Sequence, residues 1–273
     1  MIPAAFDYVR VDSADAAVAQ LVEHGEDAKL LAGGHSLVPL LKLRLASPSV
    51  LIDIGRVKDL SFIRDGGDHV AIGALTRHHD VEHSALLAEH VPLIPAVAVH
   101  VGDSQVRHRG TIGGSLAHGD PASDFPSAML ALNATLVARG PKGERTVAAA
   151  DFFRGFLTTA LGADELLTEI RVPKITGAKV SYQKFNRRAQ DWAIVGVAAY
   201  RLNGSCGVGL TNMGSVPIRA TGVESALAGG ASAADAAAHA AEGTSAPGDL
   251  NASSEYREHL ARVLTKRALE ACS

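Results

Sequence analysis

Two glycine pairs constrain this chain more strongly than any other feature of its sequence. The first lies in residues 31–37 (LAGGHSL) and the second in residues 111–115 (TIGGS), and each leads into a new segment through a small hydroxyl residue. Glycine tolerates positive φ and has no Cβ, so backbone N–H groups can approach a ligand closely there. Turns of this kind bind phosphates, especially where they lead into a helix. Two different ones predict a clamp on the pyrophosphate of a dinucleotide.

Neither glycine segment matches a common phosphate-binding motif. The G-x-G-x-x-G of Rossmann folds and the Gly-Lys-Ser/Thr of P-loops are both absent from the sequence. Both segments combine glycines with hydroxyl side chains and contain no lysine, which suits a diphosphate held by neutral N–H and O–H donors. One glycine pair alone is equally consistent with a plain turn between a strand and a helix. The presence of two favours phosphate binding.

Composition and charge argue against several other functions. The 273 residues are 47% hydrophobic and 20% charged, which is typical of a soluble globular protein, and the formal net charge of −3 gives no reason to expect a nucleic acid partner. No apolar run reaches the roughly 18 residues that span a bilayer, and the first residues lack a signal peptide, so we expect a cytoplasmic protein. The two cysteines, Cys206 and Cys272, are too few for an iron–sulfur cluster or a cysteine-rich zinc site.

Apolar periodicity predicts a mixed α/β and α+β fold in three units. Residues 6–54 alternate strand, helix, strand, helix, strand, with Ser13 and Ser36 as helix caps. In the middle unit, Thr76 is the predicted cap of a His-rich helix, and a further helix opens at residues 120–124. The predicted strands of the second and third units are at residues 70–74, 135–139, 144–147, 165–172, 182–186, 192–202 and 206–213.

The last three of these strands form a predicted antiparallel meander with a hairpin turn at Asn203-Gly204, and helices follow it. The predicted domains are 1–56 (α/β), 57–177 (mixed α/β) and 178–273 (α+β).

The remaining chemical candidates are histidines and charged residues near the glycine pairs. His35 is a polar turn residue, a cofactor contact or the attachment point of a covalent flavin. Asp124, near a helix start, both stabilises the helix dipole and accepts hydrogen bonds from ribose hydroxyls. His118 and Asp120 lie close enough in sequence to line the clamp. The basic residues 107–109 are either loop surface or a contact to an anionic cofactor.

The histidines at 78, 79 and 83 resemble a metal set on one helix. No Asp or Glu completes a known spacing such as H-E-x-x-H, so we predict a solvated helix and no metal site. The G-x-S-x-G elbow of hydrolases is also absent, and no nucleophile triad is recognisable. We therefore predict no catalytic residue in this chain.

The two glycine segments resemble those of a known family, the FAD-binding medium subunits of molybdenum hydroxylases. The similarity rests on residues 32–37 (AGGHSL) with 42–44 (KLR), and on residues 107–124 (RHRGTIGGSLAHGDPASD). It extends over essentially the whole chain, including residues 182–185 (YQKF) and 190–193 (QDWA). The carbon monoxide dehydrogenase type is the nearest, and the flavin domain of xanthine dehydrogenase is a more distant relative.

The resemblance implies a fold and a set of cofactor contacts. The fold is a two-subdomain FAD-binding domain of the vanillyl-alcohol-oxidase (PCMH-like) type, followed by an α+β domain with a three-stranded antiparallel sheet and helices. Residues 32–36 and 111–115 would hold the pyrophosphate, Asp124 the ribose side, and Leu167 the adenine or flavin rings. The implied cofactor-binding residues are Leu31, Ala32, Gly33, Gly34, His35, Ser36, Leu37, Val101, Thr111, Ile112, Gly113, Gly114, Ser115, His118, Asp120, Asp124, Leu167, Tyr182 and Lys184.

The resemblance also implies partner subunits. A large subunit with a molybdenum–pterin cofactor oxidises the substrate, and a small subunit with two [2Fe–2S] clusters passes electrons to non-covalent FAD in this chain. The expected assembly is a dimer of heterotrimers that reduces an external acceptor such as quinone, NAD or oxygen. Carbon monoxide, an aldehyde and an N-heterocycle all remain open as substrates.

The sequence favours this function over two others. A self-contained flavin oxidase or dehydrogenase, with FAD attached at His35, would need a substrate-capping domain for which 273 residues leave little room. A non-catalytic assembly module that has lost its flavin is disfavoured because both glycine segments are intact.

Overall fold

The computed structural model describes residues 2–273, and its N-terminal part forms a small parallel sheet. The elements are β1 (Asp7–Arg10), α1 (Ala14–His24), β2 (Ala28–Leu31), α2 (Leu37–Leu43) and β3 (Val50–Asp53). The strands pair in the order β1–β3–β2, and both pairs are parallel. Parallel strands need crossover connections, which α1 and α2 supply. The pattern predicted for residues 6–54 is therefore confirmed.

The two helices of this unit begin differently. Ser13 caps α1 by accepting a hydrogen bond from the Ala16 N–H at 3.1 Å. Ser36 precedes α2, but its backbone is already helical (φ −98°, ψ −51°) and its side chain makes no capping bond. A capping serine needs an extended backbone to reach back to the first N–H groups. The predicted cap at Ser36 is wrong.

A five-stranded sheet with helices packed on it forms the second unit. In chain order its elements are β4 (Ile63–Asp65), β5 (His69–Gly73), α3 (His78–Glu82), α4 (Ala85–His90), α5 (Leu93–Ala98), α6 (Ser104–Arg109), α7 (Ile112–His118), α8 (Asp124–Ala131), β6 (Thr135–Gly140), β7 (Gly143–Ala148), α9 (Ala149–Phe152), β8 (Phe153–Gly155), β9 (Thr158–Thr159) and β10 (Leu166–Pro173). The sheet order is β4–β5–β10–β6–β7, every pair antiparallel, and β8 and β9 pair separately. The four strands predicted here are confirmed.

Of two helix starts predicted in this unit, one is wrong and one is confirmed. Thr76 does not cap α3, because its hydroxyl accepts from the Phe62 N–H (3.2 Å) and donates to the Phe62 carbonyl (2.9 Å). The helix predicted to open at residues 120–124 begins at Asp124, as expected. Asp120 instead accepts the Ala122 N–H at 2.8 Å and closes a turn before the helix.

The third unit is an antiparallel sheet covered by helices. Its elements are β11 (Lys179–Phe185), β12 (Val195–Leu202), β13 (Ser205–Thr211), β14 (Ile218–Arg219), α10 (Thr221–Ala228), α11 (Ala233–Ala237) and α12 (Ser254–Ala271). The order is β11–β12–β13–β14, so the predicted three-stranded meander is present with one two-residue strand added at its edge. Asn203 (φ +49°) and Gly204 (φ +83°) form the predicted hairpin turn. The middle strand begins at Val195, three residues later than predicted.

Helix α8 joins the second and third units. All eight of its residues are buried, and β13 crosses it so closely that a Cβ on Gly209 would lie 2.7 Å from the carbonyl carbon of Ser127. The Thr211 hydroxyl also donates to the Ser127 hydroxyl at 2.7 Å. The C-terminal sheet is thus fixed to the helix that carries Asp124 at its first position.

Each of the four sheets falls within one of the three predicted units, and we retain 1–56, 57–177 and 178–273 as a proposed division into domains. Among residues 2–273, no helix is both long enough and apolar enough to span a bilayer.

We expect Gly209→Ala to lower the free energy of unfolding by about 1–3 kcal/mol, because the added methyl group overpacks the contact between β13 and α8. Urea unfolding followed by circular dichroism measures this change. Gly155→Ala is the control, since that strand glycine has only the Thr158 Cβ, 3.8 Å away, near its Cβ position. Equal stability losses in the two variants would contradict the packing argument.

Candidate cofactor-binding cleft

The two glycine segments meet in the structure. A Cβ on Gly33 would overlap the Arg109 carbonyl oxygen and lie 2.9 Å from the Gly110 Cα. On the other side, the Cβ position of Gly114 is 4.0 Å from the Ala32 Cβ. Any side chain at position 33 would therefore push the segments apart. The predicted juxtaposition of residues 31–37 and 111–115 is present.

The first segment presents a row of unused backbone donors. The N–H groups of residues 33–37 donate to no acceptor in residues 2–273, and neither does the Thr111 N–H. Gly34 turns the chain here with φ +81°, a conformation that side-chain-bearing residues rarely adopt. Within the same described range, the Ser36 and Ser115 hydroxyls also have no protein partner. Backbone donors converging in this way form an anion-binding concavity, which fits the diphosphate of FAD.

The second segment differs from its predicted form. Residues 112–115 are not a turn but the first turn of α7, which Thr111 caps by accepting the Gly114 N–H at 3.2 Å. Gly113 is required by packing, because a Cβ there would lie 2.6 Å from the Ala74 carbonyl oxygen at the end of β5. Because glycine has no side chain, the start of α7 can lie close to the sheet.

Both segments open into one cleft of about 720 Å³. Of the nineteen residues predicted from the resemblance, fifteen line it: Ala32, Gly33, Gly34, His35, Ser36, Leu37, Val101, Thr111, Gly113, Gly114, Ser115, His118, Asp124, Leu167 and Lys184. The extent of the cleft suits a ligand much longer than a diphosphate.

Four predicted residues do not line the cleft. Leu31 packs beneath Gly34, with its Cδ1 3.4 Å from the Cβ position of that glycine, and Ile112 is fully buried in the core. Asp120 lines a smaller cavity that shares Trp192 with the cleft. Tyr182 is buried behind Asp124. These four can act on a ligand in the cleft only through the residues in front of them.

Asp124 is the most strongly anchored polar group of the cleft. Its carboxylate accepts the Tyr182 hydroxyl at 2.6 Å and pairs with the Lys184 ammonium at 3.0 Å, and Lys184 also donates to the His100 carbonyl at 3.0 Å. Tyr182 and Lys184 are alternate residues of β11, so one face of that strand holds the carboxylate. Burial raises the pKa of Asp124, and Lys184 opposes this shift. Burial and the neighbouring Asp124 raise the pKa of Tyr182 well above its ordinary value. The assignment of Asp124 to a ribose remains a prediction.

His78 lines the cleft but was not predicted to do so. It was expected on a solvated helix face, yet its side chain is buried and stacks on Phe125, with ring centroids 5.1 Å apart. Its Nδ1 is buried without a hydrogen-bond partner in residues 2–273. Burial, reinforced by the nearby His35 and Arg77, lowers the pKa of His78 to about 3. A neutral imidazole with one unused polar atom therefore forms part of the cleft wall at α3.

Residues outside the predicted set also line the cleft. The segment 157–167 reaches the cleft through the β8–β9 pair, and Lys29 contributes from β2. Trp192, half-exposed in the cleft, lies in one of the stretches on which the family resemblance rests. Residues 107–109 do not line the cleft, and Arg107 instead pairs with Glu82 at 2.7 Å.

Comparison with known proteins identifies both halves of the chain. Residues 4–175 match the family described as the FAD binding domain in molybdopterin dehydrogenase, and residues 180–272 match the CO dehydrogenase flavoprotein C-terminal domain. The chain is 43% identical over 281 residues to the carbon monoxide dehydrogenase medium chain of Hydrogenophaga pseudoflava, covering 99% of this chain and 98% of that one. It is 38% identical to the glyceraldehyde dehydrogenase medium chain of Sulfolobus acidocaldarius, covering 99% of each.

Solved structures show the same similarity. The carbon monoxide dehydrogenase of Hydrogenophaga pseudoflava that lacks the Mo-pyranopterin moiety contains a chain with a TM-score of 0.96 and 41% identity. The match covers 100% of this chain and 98% of that one. The fold expected from the resemblance is confirmed.

We expect His78 to make the protein less stable as the pH falls. The pKa of a histidine is near 6.5 in the unfolded chain, and that of His78 in the folded protein is about 3. The free energy of unfolding is therefore unaffected by protonation of this residue above pH 6.5 and falls progressively between pH 6.5 and about pH 3. In this range the unfolded state binds up to one proton more than the folded state, which changes the free energy of unfolding by at most about 1.4 kcal/mol per pH unit. His78→Leu should flatten the acid slope of the unfolding free energy, measured by urea titration across this range. The exposed His259, replaced by Leu, should leave the slope unchanged; an unaltered slope in His78→Leu would refute the assignment.

Proposed function

The chain belongs to the family of FAD-binding domains of molybdopterin dehydrogenases, and on that premise we propose that it is the flavin electron-transfer subunit of a multi-subunit molybdenum hydroxylase. Its curated relatives are medium chains of dehydrogenases, so the protein is a component of an oxidoreductase. The observation that carries the proposal is the contact between the two glycine segments, with unused N–H groups lining the cleft beside it.

The proposed role of the cleft residues is to bind and orient FAD. The N–H groups of residues 33–37 and of Thr111 bind the diphosphate, and the Ser36 and Ser115 hydroxyls add donors. Asp124, fixed by β11, receives the ribose side, and Val101, Leu167 and Lys184 lie toward the rings. When bound, FAD supplies the redox chemistry, and the protein positions and tunes it.

We place the substrate chemistry and the iron–sulfur clusters in other subunits. An iron–sulfur cluster needs about four cysteine ligands, and this chain has two cysteines in all. One of them, Cys272, is buried, and burial raises its pKa to about 11, which disfavours the thiolate that binds metal. Electrons would enter from a small [2Fe–2S] subunit served by a large molybdenum–pterin subunit, in a dimer of heterotrimers. Both thiols are free, as is usual in the cytoplasm, where we place the complex.

The substrate is selected in the large subunit, outside this chain. Relatives act on different substrates, as the names carbon monoxide dehydrogenase and glyceraldehyde dehydrogenase show. The electron path proposed here runs from a partner's clusters through FAD to an external acceptor such as quinone, NAD or oxygen. A second candidate is FAD attached covalently at His35, which is exposed and lines the cleft.

Gly34→Ala should weaken FAD binding at least about tenfold, because φ +81° is strained for alanine and the row of donors shifts with it. Gly67→Ala is the matched control: Gly67 has φ +90°, nothing within 4 Å of its Cβ position, and does not line the cleft. The measurement is the dissociation constant of FAD, from flavin fluorescence titration of the stripped protein. Equal FAD affinity in the two variants would remove the basis of the proposal. Flavin that stays with the protein after denaturation would instead support attachment at His35.

Loss of FAD should stop electron delivery without removing the partners. A complex purified through this chain should contain molybdenum and iron, and in the Gly34→Ala complex both metals should be retained while acceptor reduction falls with flavin content. Metal analysis and acceptor turnover, measured on the same preparations, test this. Wild-type turnover in a flavin-free complex would show that electrons leave by another route, even if the cleft binds FAD.

A further inference from the structure

Helices α3 and α6 bring three histidines together outside the cleft. The ring centroids of His79 and His83 are 4.3 Å apart, and those of His79 and His108 are 4.1 Å apart. Glu82 joins the group, since ligand atoms of His79, Glu82 and His83 all lie within 4.8 Å of one another. His79 and Glu82 are partly exposed and His83 and His108 exposed, so the cluster is open to solvent on one side.

Backbone carbonyls fix the tautomer of two of these imidazoles. The Nδ1 of His83 bonds the His79 carbonyl at 2.8 Å, and the Nδ1 of His108 bonds the Ser104 carbonyl at 2.7 Å. A carbonyl only accepts, so each Nδ1 carries the hydrogen and, in the neutral ring, each Nε2 has a free lone pair. A ring N–H donated to a backbone carbonyl is the usual way in which a metal-binding histidine is held in place.

The charges around the cluster leave room for a cation. Arg107 takes one oxygen of Glu82, at 2.7 Å through its Nε, and the second oxygen remains available. Imidazoles with a carboxylate are typical ligands of Zn²⁺ and similar transition metals. In a tetrahedral site the ligand atoms stand about 3.3 Å apart, given bonds of roughly 2.0–2.1 Å. The ligand atoms of His79, Glu82 and His83, now within 4.8 Å of one another, need to approach by at most about 1.5 Å, and the exposed His108 lies just outside this group.

We propose that His79, His83 and His108, assisted by Glu82, form a binding site for a divalent transition metal of the Zn²⁺ class that joins α3 to α6. A pair such as His79 and His83 on one helix is a common surface feature. The histidine from a second helix makes this cluster a three-dimensional site.

The position of the site ties it to the cleft. α6 ends at Arg109, whose carbonyl lies against Gly33, and the next residue's carbonyl, on Gly110, accepts the His78 N–H at 3.0 Å. A metal that links His108 to α3 would hold this segment, and with it Thr111, in the position that faces residues 33–37. The site is therefore a structural tie behind the second glycine segment.

The test uses the full-length chain without a histidine tag. Isothermal titration with Zn²⁺ should show one tight site in the wild type, and Co²⁺ should give the visible absorption of a tetrahedral complex. The variant His79→Ala/His83→Ala should lose at least about tenfold in affinity and lose the Co²⁺ band. The exposed His259 of α12, replaced by alanine, is the matched control and should bind as the wild type does.

Two outcomes would overturn the proposal. Zn²⁺ binding by His79→Ala/His83→Ala that equals the wild type would show that the metal lies elsewhere. Unchanged affinity and Co²⁺ spectrum in His108→Ala would show a site on α3 alone, without the link to α6. Circular dichroism of each variant establishes that it is folded, so that a loss of binding reports on the ligands.

Discussion

The close approach of Gly33 to the Arg109 carbonyl is the contact on which the cleft depends. The two segments that meet there belong to different units: residues 33–37 follow β2 of the parallel sheet, and Thr111 precedes α7, which packs on β10 of the five-stranded sheet. Without a Cβ at position 33, the backbone of one segment can lie against the backbone of the other. Gly113 allows a second close approach, between the start of α7 and Ala74. Glycine is therefore needed in these segments for close backbone approach as much as for conformation, since only Gly34 of the four glycines has a positive φ.

The C-terminal unit completes the cleft through Asp124. This carboxylate is buried at the start of α8, and both of its side-chain partners, Tyr182 and Lys184, come from β11. A buried ion pair contributes little net stability, because desolvation offsets the attraction, but removing one partner leaves an uncompensated charge at a cost of about 3–5 kcal/mol. The pair therefore matters chiefly for position. It fixes the third sheet to the cleft at one defined point, while Gly209 lies against Ser127 in the middle of α8.

Sequence reasoning succeeded where a feature is local. Ser13, the Asn203-Gly204 turn and the apolar strands depend on neighbours within a few residues, and each appears in the structure. It failed where the partner is distant: the hydroxyl of Thr76 bonds Phe62 rather than a helix N–H. The histidine cluster shows the same limit, since His108 is 25 positions beyond His83 and only the packing of α6 on α3 brings it near. For the cleft, the glycine motifs predicted the donors and left His78 out, because no local pattern distinguishes an inward-facing imidazole from a solvated one.

Three positively charged side chains near the cleft already bind protein groups. In residues 2–273, Arg77 donates to the Arg109 carbonyl, Arg107 pairs with Glu82, and Lys184 pairs with Asp124. These cations are used to hold the two glycine segments and β11 in place, and His78 is kept neutral by burial. A diphosphate would then be met mainly by backbone N–H groups, whose strength depends on direction as well as charge. A site built in this way selects for the shape of a dinucleotide rather than for negative charge alone. This selectivity depends on the glycines, because they allow two stretches of backbone to come together.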